Sequence, residues 1–198
     1  LAGGAAIIDV LICLCKPSHL HVYRMTLALS AILCLVCSAH GDLGSIGLVL
    51  RLKRGFRYWI KTSVLIGAGL ILFLSLICIF YRVAHIPPRF VLAPESALRI
   101  LPGWCVYYPL LEELLYRLVL CAPLAALLGP GYAIVISGVV FGGLHFLYGN
   151  PAPTNFVAGY ILAWAYIRSE SILVPIVWHS LGNAVILAFQ VGAWRLMQ

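Results

Sequence analysis

Residues 110–117 read LLEELLYR, which puts Glu112, Glu113 and Arg117 inside an oily run extending from about Trp104 to Leu128. The chain has six carboxylates in 198 residues, and two of them stand side by side here. A run long enough to cross a bilayer needs about 20 apolar residues. Ionisable groups inside such a run are costly, and they face a cavity or a partner. Helical geometry separates the two glutamates, because neighbouring side chains point about 100° apart. Glu113 and Arg117 stand at i and i+4 and can pair within their own helix, which is a structural task. Glu112 points elsewhere and needs a partner on another helix.

The rest of the chain has the same character. It is 63% hydrophobic and 10% charged, with a mean hydropathy of +1.05. Those values belong to a polytopic membrane protein and leave no room for a soluble domain of useful size. Seven apolar segments can be marked, at roughly 2–15, 25–39, 62–81, 104–126, 131–148, 154–168 and 172–191. The expected fold is all-α, a transmembrane helix bundle of about seven segments. The polar motifs lie on the last four, which short loops make neighbours. Residues 1–99 read as front membrane segments and 100–198 as a catalytic core, together one integral membrane domain. The stretch 47–61, GLVLRLKRGFRYWIK, alternates bases with Leu, Phe, Tyr and Trp and reads as an interfacial amphipathic segment. Residues 85–103, HIPPRFVLAPESALRILPG, read as the polar connection between front and back halves.

The formal net charge of +7 is assigned to loops facing anionic headgroups rather than to nucleic acid. Basic residues divide almost evenly between the two faces, with Arg24 among those counted as loop charges, so charge asymmetry does not orient the chain. The apolar start has no basic leader and no small-residue cleavage pattern, and it reads as a membrane segment. Cys34 and Cys37 form a C-x-x-C, but a thiolate is costly in apolar surroundings, and both read as small apolar residues.

Three further polar residues join Glu112. His145 lies in FGGLHF, with Phe141 one turn before it; Gly142 and Gly143 offer room for a close approach of another chain. His179 and Asn183 lie in WHSLGN at i and i+4, so they share a helix face. At 1.5 Å rise per residue, Glu112, His145 and Asn183 sit about 12, 5 and 10–15 Å from the same membrane face, depths that permit one cavity. A carboxylate, two histidines and an amide suit hydrolysis. Glu112 and His145 can activate water, while His179 and Asn183 can donate to the oxyanion of a tetrahedral intermediate. Glu112, His145 and His179 can equally hold Zn2+ and its water. The same Glu/His set can also relay protons in an ion-coupled transporter, although no internal repeat of the kind such transporters carry is visible. Tyr116, Trp164 and Trp178 read as packing or interface aromatics.

In order along the chain, EELLYR, FGGLH and HSLGN resemble the E-E-x-x-x-R, F-x-x-x-H and H-x-x-x-N motifs of the CPBP family. That family comprises CaaX proteases and bacteriocin-processing proteins and is also called the type II CaaX prenyl endopeptidase or Abi family. Residues 159–183 resemble its final helical hairpin. The resemblance covers about residues 100–190. It implies an intramembrane endopeptidase with Glu112, His145, His179 and Asn183 at the active-site positions. Glu113, Arg117 and Phe141 become structural supports. It favours glutamate-activated water with no cofactor, and Zn2+ is the alternative. The implied partner is a membrane-anchored protein or peptide cut close to the bilayer. The small size resembles prokaryotic members such as myxosortases, which implies a sorting tag or leader peptide as substrate and the bacterial inner membrane as location.

Overall fold

A computed structural model describes residues 2–15, 18–85, 91–147 and 149–196. Among the described residues the regular structure is entirely helical, in seven runs. These are α1 (Ala2–Cys15), α2 (Leu20–Ser38), α3 (Gly55–Val83), α4 (94–128), α5 (Pro130–Leu147), α6 (Thr154–Ser169) and α7 (Leu173–Arg195). Four of them, α2, α3, α5 and α7, are long and apolar enough to cross a membrane by length and composition. The all-α membrane architecture expected from the hydropathy is therefore the architecture found.

Two boundaries differ from expectation for local reasons. The helix carrying the glutamates begins ten residues early, at Pro94, within the stretch expected to be a polar connection. Proline's fixed φ suits the first helical turn, and Glu95 favours the positive end of the helix dipole. Residues 86–90 of that connection lie outside the described residues. The basic stretch 47–61 is divided rather than forming one interfacial element. Residues 55–61 are the first turns of the 29-residue α3, and 47–54 form a non-helical loop.

The chain divides into two compact units. One comprises Leu1–Arg54 and Leu110–Ile176; the other comprises Gly55–Pro109 and Val177–Gln198. In the first unit Leu118, Cys121, Ala133, Ala163 and Tyr166 pack with Leu35, Ile46 and Ile172. Its α5 and α6 approach closely through glycines. A Cβ on Gly138 would lie 2.4 Å from the Tyr160 ring, and one on Gly159 would lie 2.8 Å from the Gly138 carbonyl oxygen. Small residues of this kind let helix backbones meet where lipid supplies no hydrophobic drive. The 46–53 loop is tied to the α6–α7 turn. Tyr166 donates to the Ile46 carbonyl, Ser171 Oγ to the Val49 carbonyl, and Lys53 pairs with Glu170. The Lys53 and Ile172 amides bond Ser169 and Gly47 carbonyls at 2.9 and 2.8 Å.

In the second unit, Trp178 of α7 donates from Nε1 to Ser63 Oγ of α3 at 2.6 Å. Its ring meets buried Trp59 edge-on, with centroids 5.6 Å apart. Val64, Leu65, Leu72 and Phe73 of α3 point outward, as a helix solvated by hydrocarbon requires.

Candidate active site

The run α4 is not a uniform helix. It is α-helical at Pro94–Pro102, π at Gly103–Tyr107, α at Tyr108–Glu113, π at Leu114–Cys121, and α at Ala122–Leu128. Both π stretches end two residues before a proline, Pro109 in one case and Pro123 in the other. A proline ring clashes with the carbonyl four residues back. An extra residue in the preceding turn moves that carbonyl away, and such π insertions recur at functional sites. The glutamates occupy the short α stretch between the two insertions.

In the first unit, Glu113 and Arg117 are fully buried and form the ion pair expected of i,i+4 spacing, Nε to Oε2 at 2.8 Å. Arg117 Nη1 also donates to Ser137 Oγ on α5 at 2.6 Å, and Ser137 Oγ donates to the Tyr116 carbonyl at 3.0 Å. The guanidinium carbon of Arg117 lies 5.1 Å from the centre of the Phe141 ring. The pair therefore fastens α4 to α5 as well as neutralising its own charges.

Glu112 turns away from this pair, as one residue of helical rotation dictates. It is 7% exposed, and its Oε2 lies 3.7 Å from Nε2 of His145. His145 is held on two sides. Its Nδ1 is 2.9 Å from the Phe141 carbonyl, and its ring stacks on Phe141 with centroids 4.4 Å apart and planes at 35°. A carbonyl only accepts hydrogen bonds, so this geometry puts a hydrogen on Nδ1; with the ring neutral, Nε2 is then the acceptor facing Glu112. Two acceptors separated by 3.7 Å can share one water, at about 2.8 Å from each.

The glycines beside His145 do different work from each other. A Cβ on Gly142 would meet the Phe156 ring of α6 at 2.4 Å, whereas one on Gly143 would meet nothing within 4 Å. Gly142 thus serves helix packing, and the expected room for an approaching chain exists only at Gly143.

In the second unit, His179 and Asn183 are half-buried on α7, one helical turn apart. Asn183 Nδ2 donates to the Trp104 carbonyl at 2.7 Å. The reason for that contact is local. In the π stretch the Tyr108 amide bonds the Gly103 carbonyl, so the next amide in this register would serve Trp104. That residue is Pro109, which has no N–H. The Asn183 amide fills the vacancy, and its NH2 group carries a second hydrogen.

One buried cluster was not expected from the sequence. Asp9 of α1 accepts from Arg24 of α2 at 2.7 and 3.1 Å. Tyr116 OH donates to Asp9 Oδ2 at 2.9 Å and accepts from Arg24 Nη2 at 3.1 Å. Arg24 is therefore a buried helix residue and not a loop charge, and Tyr116 is a polar partner as well as a packing aromatic. The available signal was an Asp and an Arg on neighbouring apolar segments, in a chain with few charges.

Glu112 and His145 supply two side chains of a type that binds zinc, and catalytic zinc sites take three protein ligands. Among the described residues no group of three or more His, Cys, Asp or Glu side chains is arranged to hold a metal ion.

No curated protein and no solved structure matches the chain. A family does. Residues 94–185 match the type II CAAX prenyl endopeptidase Rce1-like family, and the match spans Glu112, Glu113, Arg117, Phe141, His145, His179 and Asn183. With four helices long and apolar enough to cross a membrane, the chain is an integral, multi-pass membrane protein that carries, over residues 94–185, a domain similar to the Rce1-like type II CAAX prenyl endopeptidases, a family of intramembrane proteases that act on peptide or protein substrates.

Proposed function

We propose that the protease hydrolyses its substrate by glutamate-activated water and without a metal. The observation that carries this reading is the 3.7 Å separation of Glu112 Oε2 from His145 Nε2, with Nδ1 engaged by the Phe141 carbonyl. A water held between the two donates one hydrogen to each, which leaves its lone pairs directed at an incoming carbonyl carbon. As the C–O bond forms, Glu112 takes a proton from the water, and it later delivers that proton to the leaving amine. His145 keeps the water oriented throughout. The resemblance of HSLGN to the H-x-x-x-N motif assigns His179 and Asn183 the task of donating to the oxyanion, whose charge exists only in the transition state and the intermediate.

The substrate in this reading is a membrane-anchored protein or peptide cut near the bilayer surface, such as a C-terminal sorting tag or a leader peptide, in a bacterial plasma membrane. What supports it is the apolar character of the helices around the carboxylate, which favours a substrate presented from the membrane.

The test compares membranes carrying wild type with membranes carrying Glu112→Gln at equal expression. New protein termini are mapped by mass spectrometry, with and without a strong zinc chelator. Termini that appear only with wild type and persist in chelator support the mechanism. Termini lost to chelator sink the metal-free step and favour Zn2+ with Glu112, His145 and His179 as ligands. Matching lists from both membranes sink the catalytic assignment of Glu112, and pH-driven ion flux through proteoliposomes then becomes the measurement for a transporter.

A further inference from the structure

The front helices read from sequence as generic membrane anchors, yet they contain a buried polar cluster that reaches the proposed site. Asp9 and Arg24 are 1% and 4% exposed, and they close a ring of hydrogen bonds with the hydroxyl of Tyr116, itself buried. Burying this ion pair carries a heavy desolvation cost, and geometry this complete is needed to offset it. For anchorage alone, packed apolar side chains would serve α1 and α2 as well.

Tyr116 links this cluster to the site. Its ring meets Phe141 edge-on, with centroids 5.6 Å apart and planes at 87°. Phe141 stacks on His145 and supplies the carbonyl that fixes Nδ1. The Tyr116 carbonyl accepts from Ser137, which also takes a hydrogen from Arg117. Tyr116 is therefore pinned at its hydroxyl by α1 and α2 and at its backbone by α5, with its ring against the residue that orients the histidine. All of these residues belong to one compact unit.

We infer that Asp9, Arg24 and Tyr116 are positioning residues through which α1 and α2 set the orientation of His145 toward Glu112. The inference deepens the proposed mechanism and rests on it for the meaning of that orientation. The Asp9–Arg24 pair holds the tyrosine hydroxyl, the ring holds Phe141, and Phe141 holds the imidazole in the rotamer and tautomer that face Nε2 to the carboxylate. Displacing a catalytic group by about 1 Å through a change away from the chemistry can cost on the order of 100-fold in rate.

The test uses the full chain in nanodiscs and the variant Tyr116→Phe, which keeps the ring and removes only the hydroxyl. Imidazole 15N shifts of His145 are recorded at fixed pH, with the signal assigned by its loss in His145→Gln. Cleavage of a peptide taken from the mapped termini gives kcat and KM. The expected result is a displaced or broadened His145 signal and a kcat lower by about tenfold or more at unchanged KM, as misplacement of a catalytic group by a fraction of an ångström to about 1 Å produces. Tyr166→Phe, which removes a buried hydroxyl bound to the Ile46 carbonyl, serves as a control for stability and leaves both readouts at wild-type values. Arg24→Lys, which keeps the charge but loses the two-point contact with Asp9, reproduces the Tyr116→Phe result if that variant folds poorly. A His145 signal and kcat unchanged in both Tyr116→Phe and Arg24→Lys overturn the inference. A wild type that cuts nothing, with a His145 signal that still moves in Tyr116→Phe, sinks the protease mechanism and leaves the positioning network standing.

Discussion

Glu113→Leu leaves the guanidinium of Arg117 with no counter-charge at a position with no solvent exposure. The lost contact is a 2.8 Å charge-assisted hydrogen bond, and what remains is Ser137 Oγ at 2.6 Å and the Phe141 ring at 5.1 Å. Neither neutralises the charge. A cation over an aromatic face contributes about 0.5–2 kcal/mol, while removing one partner of a buried pair costs about 3–5 kcal/mol. Glu113→Leu and Arg117→Met should each therefore lower unfolding free energy by about 3–5 kcal/mol. The double variant removes both charges and retains apolar volume, so it should lie within about 1 kcal/mol of wild type. Its remaining cost is the Ser137 contact. Reversible denaturation in mixed micelles, followed by far-UV circular dichroism, measures all three. Single variants that cost less than about 1 kcal/mol, or a double variant whose loss equals the sum of the singles, would refute the reasoning that charge neutralisation is what this pair contributes.

Two further outcomes follow from steric and hydrogen-bond geometry. Gly142→Ala should lower stability by about 1–2 kcal/mol, because the new methyl meets the Phe156 ring at 2.4 Å and overpacking outweighs the gain in helix propensity. Gly143→Ala, whose methyl meets open space, should raise stability by up to about 1 kcal/mol; equal signs for the two in thermal melts would contradict the packing described. Asn183→Leu should cost about 1–3 kcal/mol by orphaning the Trp104 carbonyl, and replacing Pro109 with Ala in that background should restore part of the loss by supplying the missing amide. No recovery in the double variant would show that the proline is not the origin of the contact.

The legible part of the site was local. Spacing at i and i+4 assigned Glu113 to Arg117, because both residues lie on one helix and its pitch fixes their separation. The same rotation set Glu112 apart, and the order of EELLYR, FGGLH and HSLGN pointed to the family whose domain covers 94–185. The two π stretches were written in the sequence as Pro109 and Pro123, although hydropathy segmentation is blind to them. It averages over windows longer than the insertion of one residue. Gly142 and Gly143 were indistinguishable for a related reason. Composition marks both as small, and only the position of the Phe156 ring separates a packing contact from an open flank.

By itself the sequence determined that this is an all-helical membrane protein, since hydrocarbon leaves a spanning chain little choice but to satisfy its own backbone. It also determined which few polar residues had to find partners. Which partners they found was decided by tertiary structure. Asp9 and Arg24 stand 15 residues apart, and Tyr116 lies 107 residues beyond Asp9; no period or propensity connects positions on separate helices. Their meeting depends on how α1, α2 and α4 pack within one unit. In the same way, the facing of His145 Nε2 toward Glu112 follows from a ring stacked on Phe141 and a backbone carbonyl, which exist as constraints only once the helices are in place.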